Sequence, residues 1–446
     1  MNSVKKYPVI ARGYGIFIAP NGGYIFPYED ENGVNRPLPP CKTLNVQACT
    51  ILEQCTGHTP VEDIVHTLEK MFENTPSDLF SKVKTFLDEA VQEGYVLYSA
   101  TPVKMEGLLQ GSLAYHVPSQ VLFEATTRCN LTCRHCLLSA GKPLPDELET
   151  ERILPILERL YEIGVKRLML SGGEVLTKKG WKTLVDFCAD RFYFAFLTNG
   201  TLITEETADI LSHCREVHIS LYGKDAETHE KVTGVEGSFE KSLKGIQLLK
   251  ERGVYCGVSA LMVPFNVHQL EDMVQLAISL QCDIVRVGAV CPIGRACDGQ
   301  WELTEKQREL LEKKMDELQK QYTIAIQWEE EKSEEKSCGA GYTRWVITSN
   351  GDVYPCGVLR IPIGNVARDD PVTVCTSPAV KFLQTLKAPS HRLCSNCCHL
   401  VTCKGCHQQA FFYSFQVDHC HWMDQVENAP EPLKSALWEL HKKKKR

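Results

Sequence analysis

From Val121 onward, short apolar runs alternate with longer stretches whose apolar residues recur every three to four positions. Val121–Ala125, Arg167–Ser171, Tyr193–Thr198, Val217–Leu221, Cys256–Val263 and Ile284–Val290 have the length and β-branched or aromatic content of buried strands. Between them, Glu149–Ile163, Ser238–Glu251 and Leu270–Leu280 read as amphipathic helices. Repeated strand–helix units build a parallel sheet or barrel, because parallel neighbours need a crossover. Six units are too few to close an eight-stranded barrel. The expectation is an α/β fold, an open partial (β/α)6 barrel over residues 120–303.

The pattern differs on either side. Residues 1–100 read as a winged-helix-like α+β domain: short strands over Pro8–Tyr28 turning at Asn21-Gly22-Gly23, then helices over Val46–Cys55, from Thr59 and from Ser77. Thr59-Pro60-Val61-Glu62 is the pattern of a capping box with proline at the first helical position, and Gly94 stops the last helix. Residues 101–119 read as a linker, and 304–337 as a bridging segment with a polar helix, Thr304–Tyr322, and an acidic stretch, Glu329–Glu335. A cysteine-rich domain over 338–425 contains a hairpin signal, Trp345–Ser349 and Asp352–Tyr354 around Asn350-Gly351. Residues 426–446 end in a short helix, Glu431–Lys442, and a basic tail.

Composition narrows the function. Forty-nine basic against 56 acidic residues leave a net charge of −7, which argues against a nucleic-acid partner. No apolar stretch is long enough to span a membrane and no secretory signal opens the chain, so no membrane partner and a cytoplasmic location are expected. Of 21 cysteines, three fall within Cys129–Cys136 and seven within Cys375–Cys420, and in a reducing compartment such crowding means metal rather than disulfides. Cys188, Cys214, Cys256 and Cys282 fall within helix or strand patterns and read as small buried residues. Cys291 and Cys297 flank Pro292–Arg295 just past the sixth strand, and Cys41, Cys49, Cys55 and Cys375 carry no signal.

Cys129, Cys133 and Cys136 follow the first barrel strand in a Cys-x3-Cys-x2-Cys loop. Three thiolates can hold three corners of a four-iron cube and leave the fourth iron open to a ligand; zinc or structural thiols are the alternatives. This loop resembles the signature of the radical S-adenosylmethionine (SAM) superfamily. Ser171-Gly172-Gly173-Glu174, Thr198-Asn199-Gly200 and His218–Gly223 follow or close the next three strands in the order of that family. The resemblance implies a [4Fe–4S] cluster on the three cysteines, with SAM bound by Gly172, Gly173, Glu174, Asn199 and Ser220. It implies reductive cleavage of SAM to a 5′-deoxyadenosyl radical, with an electron donor such as flavodoxin or ferredoxin. Many relatives carry Arg-Gly after the fourth strand, where this chain has Thr233-Gly234, so the partner of the SAM carboxylate stays open.

A second constellation runs Cys338-x12-Gly351-x4-Cys356, then Cys394-x2-Cys397-x5-Cys403-x2-Cys406, then Cys420. It resembles the SPASM domain, although the family usually spaces the last close pair by three residues rather than two. Carried over, Cys394, Cys397, Cys403 and Cys420 hold an outer auxiliary [4Fe–4S] cluster, and Cys338, Cys356 and Cys406 an inner one. Arg344 stands about where some relatives have a fourth inner cysteine. Either another group such as His407 or Cys398 fills that corner, or it is open to a substrate thiolate; a zinc ribbon is the non-catalytic alternative. The catalytic acid or base is unassigned.

The N-terminal unit resembles the peptide-binding domain of peptide-modifying maturases, which takes a leader segment as an added strand. This order, with a TIM-like partial barrel in the middle, resembles the sactipeptide and ranthipeptide thioether synthases. The resemblance implies a ribosomally made precursor peptide as partner and a cross-link from cysteine sulfur to carbon. Other radical SAM peptide modifications, and a metal protein that only binds peptides, are the competing readings.

Overall fold

The computed structural model describes residues 5–31, 34–37, 40–72, 74–297, 299–328, 338–403, 405–431 and 433–437. The chain divides into two units: residues 1–117 with 159–166 and 190–192, and the remainder.

In the first unit, β1 (Tyr7–Ile10), β2 (Tyr14–Ala19), β3 (Gly22–Glu31), β4 (Val34–Pro37) and β5 (Lys42–Leu44) precede helices α1 (Val46–Glu53), α2 (Val61–Met71) and α3 (Leu79–Gln92), followed by β6 (Val96–Ser99) and β7 (Leu108–Gly111). β1 pairs antiparallel with β6, and β2 with β3. The helical stripes meet in one core of Leu52, Ile64, Leu68, Val83 and Leu87 against Ile16, Ile18 and Ile25. Gly94 ends α3 at φ +88°, the left-handed turn for which glycine costs least. Two expectations change. Pro60 is itself the N-cap of α2, with no side-chain cap, because its carbonyl already accepts from Ile64 while the Val61 amide donates to Lys6 O at 3.0 Å. And 101–119 is more than a linker, because β7 adds to β2 in parallel.

In the second unit, β8 (Gln120–Glu124), β9 (Arg167–Ser171), β10 (Tyr193–Thr198), β11 (Glu216–Ser220), β12 (Cys256–Met262) and β13 (Ile284–Ala289) are the six expected strands. Helices α4 (Thr150–Ile163), α5 (Trp181–Arg191), α6 (Glu205–Leu211), α7 (Ala226–Thr233), α8 (Ser238–Lys250) and α9 (Leu270–Ser279) connect them. α10 (Glu305–Gln321) opens on a capping box of Thr304 and Gln307 and returns the chain to a seventh parallel strand, β14 (Ala325–Trp328), inside the stretch read as a bridge. β15 (Arg344–Ile347) then adds in parallel to the other side of β8, and β16 (Asp352–Tyr354) and β17 (Gly364–Asn365) continue antiparallel. The order β14-β13-β12-β11-β10-β9-β8-β15-β16-β17 stays open, as a partial barrel must. Gly351, at φ +88°, makes the expected hairpin turn. Helices α11 (Pro371–Cys375), α12 (Pro378–Thr385), α13 (His391–Cys394), α14 (Leu400–Cys403) and α15 (His407–Tyr413) follow, with the later cysteines in or beside α11, α13, α14 and α15 or, for Cys420, beyond them. The acidic stretch 329–335, the basic tail and half of the expected last helix lie outside the described residues.

Charge fills the barrel at the amino ends of its strands. Glu216 accepts from Arg167 and Arg286, each at 3.3 Å, and pairs with His218 at 2.8 Å. Burial raises the Glu216 carboxyl, but His218, Tyr193 and Arg167 outweigh it and hold the group at about 2. With that end plugged by an ionic network, the opening for chemistry is at the carboxyl ends, where Ser171, Thr198 and Ser220 stand.

Candidate functional site

The Cys129–Cys136 loop leaves the carboxyl end of β8 and is tied down on three sides. Thr132 N donates to Thr233 O at 3.1 Å and Arg134 N to Val232 O at 2.9 Å, so the loop satisfies carbonyls that the end of α7 leaves without partners. Arg295, just past β13, donates from Nε to Cys133 O at 2.7 Å and from Nη1 to Ala140 O at 2.8 Å. Its own amide donates to Cys136 O at 3.0 Å. The Leu131 amide points at Cys129 Sγ and the Ala140 amide at Cys136 Sγ, both at 3.4 Å. Burial, then the charges of Cys129 and Cys136, push the Cys133 thiol up to about 12. Burial raises the Cys129 thiol as well, and a cationic iron centre would ionise and gather such thiols.

The glycines serve close approach. A Cβ on Gly172 would stand 2.4 Å from Thr126 O, and one on Gly173 2.2 Å from Arg128 O. Without side chains, the Ser171–Glu174 backbone pairs with the strand end feeding the cysteine loop: Gly173 N to Thr126 O and Glu174 N to Arg128 O, both at 2.7 Å. The Glu174 carboxylate turns inward. It is 1 % exposed and accepts from Leu176 N at 3.1 Å, Thr198 Oγ1 at 2.9 Å and Asn199 N at 2.8 Å. Burial raises its pKa and these donors pull it back. Glu174 thus clamps the end of β10 to the end of β9. Asn199 Nδ2 reaches Asn130 Oδ1 at 3.0 Å, beside Cys129. Ser220, half-buried at the end of β11, has a hydroxyl uncommitted to any described residue. All five expected SAM residues therefore lie at strand ends around one loop, and Glu174 joins two of those ends.

In the C-terminal region the structure draws Cys394, Cys397, Cys403 and Cys420 into one group. Burial raises the Cys403 thiol to about 12, with Cys397, Cys420, Cys406 and Cys394 adding to it. Burial also raises Cys394 and Cys420, and each of these thiols then feels Cys397. Cys338 and Cys356 form a second group. Burial lifts Cys356 to about 11, Cys338 adds to the rise, and Arg344 opposes it. Cys338 is only half-buried, and its contact with His407 outweighs desolvation and brings it down to about 7. Cys406 acts on Cys403, and Cys398 is exposed.

The donor geometry bears on the metal. A zinc ion, at about 2.3 Å from sulfur, draws its thiolates to within roughly 4 Å of one another. Among the described residues, the histidine, cysteine and carboxylate donors that gather in threes within 4.8 Å are those of His419, His421 and Asp424, which are exposed and include no cysteine. The wider cysteine groups suit iron–sulfur cubes, whose thiolates sit on separate irons. Cys188, Cys214, Cys256 and Cys282 are buried as expected. Two residues with roles here escaped the motif reading: Arg295, whose place past the sixth strand was the signal available, and Arg360, which pairs with Glu124 at the end of β8 and for which no local signal exists.

Comparison with known proteins agrees with this geometry. Residues 123–277 match the model of the radical SAM superfamily, residues 338–398 that of the SPASM iron–sulfur cluster-binding domain, and residues 41–96 that of the coenzyme PQQ synthesis protein D family. The chain is 30% identical to the sporulation killing factor maturation protein SkfB of Bacillus subtilis over 295 residues, 63% of this chain and 72% of that one. It is 26% identical to the antilisterial bacteriocin subtilosin biosynthesis protein AlbA of the same organism, over 82% of this chain and 84% of that one. Its fold is similar to that of Streptococcus suis SuiB bound to its precursor peptide SuiA, with a TM-score of 0.62 at 15% identity over 93% of this chain and 98% of that one.

Proposed function

The chain belongs to the radical SAM enzymes that carry a SPASM extension and modify peptides, and on that premise we propose that it joins a cysteine sulfur to a carbon of the same precursor peptide. Its cofactors are [4Fe–4S] clusters and SAM, and its partner is a precursor peptide. Bound together, the first cluster and SAM supply a carbon-centred radical that takes a hydrogen atom from an unactivated carbon. In this reading Cys129, Cys133 and Cys136 hold that cluster. The Gly172-Gly173 backbone, Asn199 and Ser220 face SAM, and Glu174 keeps their strand ends in register. Cys394, Cys397, Cys403 and Cys420 hold the outer cluster.

The observation that carries the thioether reading is the shortage of cysteine around Cys338 and Cys356. The cationic Arg344 lies near Cys356, where some relatives carry a cysteine, and a positive charge there favours an arriving thiolate. As the sulfur–carbon bond forms, the carbon gives a hydrogen atom to the deoxyadenosyl radical, the sulfur gives up a proton, and the one electron left over would pass to an auxiliary cluster. The relatives SkfB and AlbA, both named for bacteriocin or killing-factor maturation, support the same product class. The leader segment adds as a strand along β6. The far side of β1 is bridged by Val9 to Thr56, whereas no described strand covers the far side of β6. A flavodoxin or ferredoxin supplies electrons, and 21 cysteines free of disulfides favour the reducing cytoplasm.

The thioether reading predicts a small cysteine-containing precursor peptide encoded beside this chain, and the test is an anaerobic incubation of the iron- and sulfide-reconstituted chain with SAM, a reductant and that peptide. The expected product lacks two hydrogens per cross-link, and those cysteines resist alkylation even after disulfide reduction. Formation of 5′-deoxyadenosine with every cysteine still alkylated leaves the enzyme class standing and removes the thioether, in favour of a carbon–carbon link or oxidation.

A further inference from the structure

We propose that His407 is an iron ligand of the inner auxiliary cluster, standing where the cysteine pattern of the domain calls for a thiolate. The inference rests on the presence of SPASM clusters and is independent of which bond the enzyme forms.

Spacing is the first observation. In Cys394-x2-Cys397-x5-Cys403, a further ligand separated from Cys403 by three intervening residues falls at position 407, which is histidine, while Cys406 comes one residue early. Adjacent residues entering a helix point about 100° apart, so Cys406 and His407 address different surroundings. The structure shows that division. His407 begins α15 with Cys406 as its N-cap. The Cys406 charge acts on Cys403, within the outer group, while the His407 ring lies beside Cys338, in the inner one.

The second observation is the state of the ring. His407 is 1 % exposed, and neither ring nitrogen makes a hydrogen bond of normal geometry; the polar group the ring approaches is the Cys338 thiol. A buried unsatisfied polar atom is rare in a native fold and destabilises it. Trp422 lies against the ring at 5.5 Å between centroids and is itself braced by Phe411 at 4.8 Å. The indole N–H is spent on Lys387 O at 2.8 Å, so it offers the imidazole nothing. The ring is thus held in place, shielded from water and turned toward the Cys338 thiol, with no hydrogen bond of normal geometry to either nitrogen. A metal satisfies that nitrogen where the protein does not. Two thiolates and one imidazole leave the inner cluster with less negative charge than four thiolates, and histidine ligation raises a cluster's potential.

The test uses the full chain with Cys129, Cys133 and Cys136 replaced by alanine, so that only auxiliary clusters report, and with histidine labelled by 15N. Pulsed electron paramagnetic resonance of the reduced protein reads the coupling of iron to nitrogen. The expected result is a strong 15N coupling of directly bound imidazole that disappears in His407→Cys while the iron content is kept, with the inner potential moving downward. Cys406→Ser is expected to retain the inner cluster's iron. A coupling that is absent, or that survives His407→Cys, overturns the proposal. So does loss of the inner cluster in Cys406→Ser but not in His407→Ala. Should His407→Ala fail to fold, the His407→Cys spectrum still decides. No peptide is needed, so failure of the thioether reading leaves this result untouched.

Discussion

Arg360 grips Glu124 with two parallel hydrogen bonds, Nη1 to Oε1 at 2.8 Å and Nη2 to Oε2 at 2.7 Å. Glu124 is the last residue of β8, five positions before Cys129, and Arg360 lies four positions past Cys356. The pair therefore ties the entrance of the first cysteine loop to the loop of the inner group. Its side chains are only 7 % and 19 % exposed, and the guanidinium also lies over Tyr354 at 4.8 Å.

Breaking this pair on one side strands a buried charge. Arg360→Met or Glu124→Leu alone is expected to cost about 3–5 kcal/mol, and the two together markedly less. Urea midpoints of the three variants check the order; a double variant as weak as the sum of the singles would contradict it.

Gly173→Ala places a methyl group where only 2.2 Å separates it from Arg128 O. The cysteine loop must then shift. The expected result is loss of about four irons per chain, those of the first cluster, with the auxiliary clusters retained. Iron and sulfide analysis with electron paramagnetic resonance reads it.

Glu174→Gln keeps the shape of the clamp but sets an amide N–H among the donors of Leu176, Thr198 and Asn199. The lost acceptor is expected to cost about 1–3 kcal/mol. SAM binding should weaken roughly tenfold as the strand ends loosen, the effect of about 1.4 kcal/mol. Calorimetric titration of SAM distinguishes this from an unchanged site.

His229 is buried and neutral. Its Nδ1 accepts from Tyr222 N at 3.2 Å, and burial lowers its pKa to about 4. The unfolded chain, with an ordinary histidine near 6.5, binds the proton more readily between those values. Stability is therefore full above about 6.5 and falls as pH drops toward 4, by up to about 3 kcal/mol. Urea unfolding of the iron-free chain at pH 7.5 and 5 is expected to show the loss, and His229→Leu to show a smaller slope.

Leu97 is 51 % exposed on β6, the strand given the peptide edge. Leu97→Glu is expected to weaken binding of the precursor's leader segment at least tenfold, about 1.4 kcal/mol, without changing SAM cleavage in its absence. Fluorescence anisotropy of a labelled leader peptide measures it; unchanged affinity would move the edge elsewhere.

Much was legible because it is local. The six barrel strands show as apolar runs of strand length, and the Cys129–Cys136 loop shows by spacing, since both are written within a few consecutive residues. Gly172 and Gly173 were legible as glycines needed for close approach, though the partner they approach, Thr126–Arg128, was not.

What the tertiary structure alone decided is nonlocal. β14 and β7 are four-residue segments with no distinctive pattern, and each becomes a strand only because a neighbouring edge offers hydrogen bonds. Pro60 looked like a first helical residue until the Val61 amide found Lys6 O. Glu174 reads as a ligand-binding carboxylate, but packing turns it inward onto Thr198 and Asn199. The sorting of Cys406 toward Cys403 and of His407 toward Cys338 depends on the direction in which α15 leaves the loop. Composition and spacing decide which chemistry a chain can hold. Only the folded path decides which side chains, far apart in number, share a cluster, because that depends on the angle at which each segment arrives.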